Sequence, residues 1–183
     1  MFAPGLILSV RQGNVAVVVD INGSGQPVVT SAGSLSKDRQ FGNATVLADG
    51  KVWVNGGSST GNDMVGAAYD SELWDSTSLL LPDGSVFTGG GGPNPVKQLN
   101  GEIYYPPYLF KTDGSGEFAP RPQIIDAPTS MITWDQEFSI EASDSIARVT
   151  LLRVGAATHA FNNETRFYDL AIPQTANIVT VRS

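Results

Sequence analysis

Two stretches of the chain carry one pattern: Thr-Val-Leu-Ala-Asp-Gly-Lys-Val-Trp-Val-Asn-Gly-Gly over Thr45–Gly57, and Ser-Leu-Leu-Leu-Pro-Asp-Gly-Ser-Val-Phe-Thr-Gly-Gly over Ser78–Gly90. Each copy reads as an apolar strand, an Asp-Gly turn, an alternating strand and a Gly-Gly. Asp-Gly supplies the positive φ angles of a tight hairpin turn, and the flanking residues run apolar or alternate as strands do. The closing Gly-Gly marks a bend of the backbone that a Cβ would obstruct. One such hairpin is a common local device. Two in series predict blades of a propeller, small antiparallel sheets repeated about an axis.

A weaker third copy stands at the start, with Gly5–Val10 in the place of Gly50–Asn55. Gly5 precedes Gly50 by 45 residues, near the kelch-type period of about 50, but Gly84 follows Gly50 by only 34. A four-stranded blade cannot lose that many residues and keep its strands, so the interval between Gly57 and Ser78 is short by a strand and a loop. A closed propeller needs at least about four blades and this chain supplies at most about three, so the propeller expected here is partial.

The 183 residues, 41% of them hydrophobic, are enough for one packed domain or two small ones. The 20 glycines and 11 prolines belong with turn-rich β structure, and no amphipathic helix is legible. A net charge of −7 with 11 scattered basic residues argues against nucleic acid as a partner, since phosphate binding needs clustered Lys and Arg. The absence of cysteine excludes disulfides, thiolate metal sites and thiol chemistry within this stretch. No run approaches the ~20 apolar residues of a membrane span, and Met1–Gly5 lacks the basic segment and apolar run of a secretory signal.

Residues 1–105 carry the repeats, with a buried-type strand over Val15–Asp20, a turn over Asn22–Gly25 and a further strand over Tyr69–Trp74. Residues 106–121 are expected to form a linker in which prolines and small polar residues oppose regular structure. Within residues 122–183, Phe138–Ala142, Ala147–Val154 and Arg166–Ile172 are short strands at the spacing of an immunoglobulin-like sandwich. Four or five strands can be counted there. Such a sandwich has about seven, so this domain too is expected to be incomplete.

Several ordered motifs together resemble the C-terminal part of the galactose oxidase and glyoxal oxidase family of copper-radical oxidases. They are Ser78–Gly84, the run Gly89–Gly92, Glu102–Phe110, Arg121-Pro122, and Ala157-Thr158-His159 with Asn162 and Arg166. The resemblance covers nearly the whole chain. It implies an all-β protein, late kelch-like propeller blades followed by an early-set immunoglobulin-like domain. It also implies a parent activity: oxidation of primary alcohols or aldehydes, sugars among them, with dioxygen reduced to hydrogen peroxide. The family holds one copper through two histidines and two tyrosines, one of them cross-linked to a cysteine, donor types that suit copper. By the same resemblance the parent lineage is extracellular or cell-surface.

Carried over by position, His159 matches the histidine that the C-terminal domain extends on a loop into the propeller axis. The family's other histidine and its adjacent tyrosine belong just before Ser76, where this chain has Trp74 and Asp75. Ala68–Asp75 itself resembles the family's preceding strand and runs directly into Ser76, so the ligand-bearing segment is read as absent, at the place where the repeat is short. One imidazole cannot hold copper, so the chain alone is expected to bind none and to be catalytically incomplete. Two alternatives stay open: a non-catalytic carbohydrate-binding or cell-surface interaction module on the same scaffold, and an active oxidase from whose sequence segments have dropped out. An open stack of blades leaves strand edges exposed, so self-association is expected.

The remaining candidates have plainer readings beside them. Asp75 as a metal ligand and Trp74 as a substrate contact compete with ordinary strand and turn roles. Gly89–Gly92 has no following helix to make a phosphate site and reads as a blade turn. Tyr104, Tyr105 and Tyr108 make either a sugar platform or packing between domains, and Trp53 and Trp134 read as strand or core residues. Asn22, Asn43 and Asn163 fit the glycosylation pattern. Asp113–Glu117 lacks the further positions of a calcium loop and reads as a turn.

Overall fold

The computed structural model describes residues 14–20, 25–40, 42–60, 66, 77–89, 99–133, 135–153, 155–158, 161–163, 166–170, 172 and 175–182. The expectations for Gly5–Val10, Asn22–Ser24, Tyr69–Asp75, Gly90–Gly92, Trp134 and His159 fall outside them. Strands dominate the regular structure of the described residues, with a 3-10 turn at Pro107–Leu109. No helix is long and apolar enough to cross a membrane. The chain divides into two compact units, Met1–Pro106 with Arg153–Arg166, and Pro107–Leu152 with Phe167–Ser183.

In the first unit β1 (Val15–Asp20) pairs antiparallel with β2 (Val28–Ser34). The sequence predicts a buried strand at Val15–Asp20, yet only Ala16 is buried and Val15 is half exposed. A strand buried on both faces needs a cover on each. Here its ladder partner β2 is itself exposed along its whole length.

β3 (Asn43–Val46) and β4 (Val52–Asn55) form one hairpin, and β5 (Thr77–Leu80), β6 (Val86–Gly89) and β7 (Gly101–Tyr104) form a three-stranded antiparallel sheet. Directly paired residues share a face. Asn43, Asn55, Thr45 and Trp53 therefore stand together on β3–β4, and Ser78, Thr88, Leu80, Val86 and Tyr104 stand together on β5–β7. These two faces meet. Trp53 and Tyr104 stack 4.9 Å apart and 3° from parallel. Asn55 Nδ2 donates to Thr88 Oγ1 at 3.0 Å, and Ser78 Oγ donates to Asn55 Oδ1 at 2.9 Å. On the opposite face of β5–β7 lie Leu79, Phe87 and Ile103, the last two 39% and 49% exposed. The usual polarity is inverted in β6, where Thr88 is buried and Phe87 is open.

The two Asp-Gly turns superpose bond for bond. Leu47 N donates to Lys51 O at 2.8 Å and Gly50 N to Leu47 O at 3.0 Å; Leu81 N donates to Ser85 O at 2.8 Å and Gly84 N to Leu81 O at 2.9 Å. These are three-residue hairpin loops with the glycine left-handed, at φ 85° for Gly50 and 81° for Gly84. The aspartates do not take positive φ, which corrects the expectation that Asp and Gly together supply the positive φ angles of the turn. They act through their carboxylates instead: Asp49 Oδ1 accepts Lys51 N at 3.0 Å and Asp83 Oδ1 accepts Ser85 N at 2.9 Å. The first Gly-Gly bends as expected, with Gly56 and Gly57 at φ 68° and 91°.

In the second unit β9 (Glu137–Ile146) pairs with β8 (Ile124–Asp126) on one side and β14 (Ala176–Arg182) on the other, while β10 (Val149–Arg153) pairs with β13 (Arg166–Leu170). Phe138 of β9, Val181 of β14 and Leu170 of β13 form the core, with Ile140, Val149, Leu151 and Tyr168 packed against it. Residues 122–183 thus carry seven strands among those described, counting β11 (Ala156–Thr158) and β12 (Phe161–Asn163), more than the sequence count. Strands of three residues such as β8, β11 and β12 are too short to display alternation. The expected linker is ordered: Phe110 and Phe118 stack 5.0 Å apart across an antiparallel bridge, Ala119 N donates to Leu109 O at 2.8 Å, and Leu109 is buried.

Candidate functional site

The sequence puts its candidate ligand, His159, between β11 and β12. These strands pair Ala156↔Asn163, Ala157↔Asn162 and Thr158↔Phe161, which leaves His159 and Ala160 as the residues joining them, outside the described set. The hairpin belongs to the first unit, with β12 beside β3 and β5.

What it meets there is polar. Asn162 N donates to Asn43 Oδ1 at 3.2 Å, and Asn162 Nδ2 donates to Thr45 Oγ1 at 3.3 Å. Asn43 Oδ1 also accepts Ala44 N at 2.9 Å. Asn55, on the same face of β3–β4, bonds Ser78 and Thr88 of the facing sheet, with Ser78 Oγ 3.3 Å from Thr88 Oγ1. Asn43, Thr45, Asn55, Ser78 and Thr88 are all buried. Burial of amides and hydroxyls is costly unless each finds a partner, and here Asn55, Ser78 and Thr88 partner one another while Asn43 and Thr45 accept from Asn162. The set contains no group that ionises near neutral pH, so it positions and cannot carry protons as a general acid or base.

Sequence reading passed over these residues. Polar strand residues read as a solvent face, and Asn43, which fits the glycosylation pattern, is 4% exposed and engaged through Oδ1. The signal that was available is the cluster of small polar residues on both repeat copies.

The other candidates fall elsewhere. Tyr104 has a ring face taken by Trp53, and Tyr105 is largely exposed. Tyr108 sits half-buried in the 3-10 turn of the second unit. Gly89 is the last residue of β6. Asp113 Oδ1 accepts Ser115 N at 2.9 Å within its turn, and the Ser115 hydroxyl and amide hold its carboxyl below the usual range. Burial raises Asp49, but the Lys51 ammonium and amide outweigh it and leave Asp49 lowered. Among the described residues no three His, Cys, Asp or Glu side chains gather as a metal site would require.

Residues 121–183 match the family described as "Galactose oxidase-like, Early set domain". Galactose oxidase of Gibberella zeae is 29% identical over 174 residues, covering 82% of this chain and 25% of that protein. The galactose oxidase of Gibberella zeae strain PH-1 matches at the same identity and coverage. A fungal alcohol oxidase of the AA5 family, solved in complex with copper, superposes with a TM-score of 0.77 at 25% identity, over 93% of this chain and 41% of that one. The chain thus spans about a quarter of the length of the curated relatives it matches.

Proposed function

We propose that this chain, galactose oxidase-like in its early set domain and similar over most of its length to copper alcohol oxidases, is the C-terminal part of such an oxidase scaffold and does not complete the copper site by itself. The observation that carries the scaffold reading is the equivalence of Trp53 and Phe87, four residues beyond Asp49 and Asp83 in the two repeat copies. Trp53 is covered by Tyr104 of the next sheet, whereas Phe87 presents the corresponding face of its own sheet openly. Successive sheets that stack the same face onto the same neighbour are the packing rule of propeller blades.

Copper, when bound in this family, supplies the redox chemistry that oxidises the alcohol and reduces dioxygen. The donors brought to the β11–β12 hairpin do not fit it. Asn43, Thr45, Asn55, Ser78 and Thr88 offer neutral oxygen and amide groups already engaged, Asn55, Ser78 and Thr88 with one another and Asn43 and Thr45 with Asn162, whereas copper favours imidazole and thiolate. His159 is the single histidine of the chain. The parent substrate class is primary alcohols, sugars or small aldehydes, and the setting is extracellular. Phe87, Ile103, Val28 and Val29 leave apolar surface open for self-association.

Copper titration followed by a peroxide assay with galactose and with glyoxal tests this reading. The expected result is no stoichiometric tight binding and no peroxide. Tight binding of one copper with peroxide formation overturns it.

A further inference from the structure

We infer that Asn162 is a positioning residue that latches the β11–β12 hairpin onto β3 and so fixes the strands on both sides of His159. Its relevance to a metal rests on His159 as the family's ligand position; the latch stands on the contacts alone. A two-stranded hairpin with three residues to a strand is not stable by itself, so its placement must come from what it touches. Asn162 makes that contact twice, through its backbone N–H to Asn43 Oδ1 and through its side-chain Nδ2 to Thr45 Oγ1.

The receiving end is already oriented. Asn43 and Thr45 are alternate residues on one face of β3, both buried, and Ala44 N donates to the same Asn43 Oδ1. The donating end has space kept for it, since a Cβ at Gly155 would lie 1.8 Å from Asn162 Oδ1. Three separate features converge on one residue: an anchored acceptor for its backbone N–H, and a buried hydroxyl and a glycine for its side chain.

Hydrogen exchange on the full chain tests the latch with Asn162→Ala, Thr45→Val and Thr45→Ser. Thr45→Val keeps the shape and removes the acceptor, whereas Thr45→Ser keeps the hydroxyl. Exchange of the 156–163 amides is expected to rise about tenfold in Asn162→Ala and Thr45→Val, with β5–β7 within about twofold of the parent and Thr45→Ser close to it. Unchanged exchange in the hairpin, an equal rise throughout β5–β7, or a Thr45→Ser variant as fast as Thr45→Val overturns the inference. No readout here involves copper, so this experiment and the copper titration fail separately.

Discussion

The side-chain amide of Asn162 occupies the space in which a side chain at Gly155 would begin, with Oδ1 1.8 Å and Cγ 2.7 Å from a Cβ built there. Gly155→Ala therefore has to push that amide aside, and the bond from Asn162 Nδ2 to Thr45 Oγ1 goes with it. The expected loss is about 1–2 kcal/mol by urea denaturation, because Thr45 is buried and its hydroxyl is left without that donor. In an Asn162→Ala background the same substitution should cost under ~0.5 kcal/mol. Fully additive losses would show that the two residues do not act on each other.

The paired turns predict paired responses. Asp49→Ala and Asp83→Ala should each destabilise by about 0.5–1.5 kcal/mol, since each removes one carboxylate bond to the amide two residues on. Asp→Asn at either position keeps an acceptor and should cost less than ~0.5 kcal/mol. Gly50→Ala and Gly84→Ala should cost about 1–2 kcal/mol each, because both glycines are left-handed. Thermal melts of the six variants check this; a cost at one turn without its counterpart at the other would break the equivalence. The Lys51–Asp49 pair adds little, as the lysine is 80% exposed.

These turns were legible because their information is local: Asp, Gly and the strands they join lie within a dozen residues. Even so, sequence gave the aspartate the wrong task, since a carboxylate accepting an amide and a positive φ both favour Asp before Gly. The hairpin latch was not legible. Asn162 and Thr45 lie 117 residues apart, and no local pattern records that they meet. The inversion in β6 was hidden for a related reason. Alternation shows that Phe87 and Thr88 face opposite ways, but which face is covered depends on the neighbouring sheet, and Asn55 is what makes Thr88 the buried one.

Phe87 gives the third test. Its ring lies across Gly89 and Gly101, which pair directly; a Cβ at either would come within 2.9–3.0 Å of it. The ring stands in for the side chains those glycines lack, so Phe87→Ala should cost about 1–2 kcal/mol, less than a fully buried phenylalanine because the residue is 39% exposed. Gly101→Ala should destabilise the parent chain by collision with the ring and turn neutral or stabilising once Phe87 is alanine, as alanine restricts the unfolded chain more than glycine does. A Gly101→Ala effect of the same sign and size in both backgrounds would sink this account.

The last prediction concerns acid. Arg148 Nε lies 3.1 Å from both carboxylate oxygens of Asp169 and Arg148 Nη2 lies 2.8 Å from Oδ2, a forked arrangement that holds the Asp169 carboxyl below the usual range, against a small opposing effect of burial. On acidification the unfolded chain takes up this proton first. The stabilisation is therefore complete above the unfolded carboxylate value and is lost as pH falls through the lower folded one. Both side chains are nearly half exposed, so the contribution is only about 0.5 kcal/mol and shrinks in high salt. Urea denaturation of the parent chain and of Asp169→Asn checks it: the parent should be the more stable at about pH 6, and the gap should close as pH falls toward ~2. A constant offset between the two across that range would show that the pair contributes nothing that depends on ionisation.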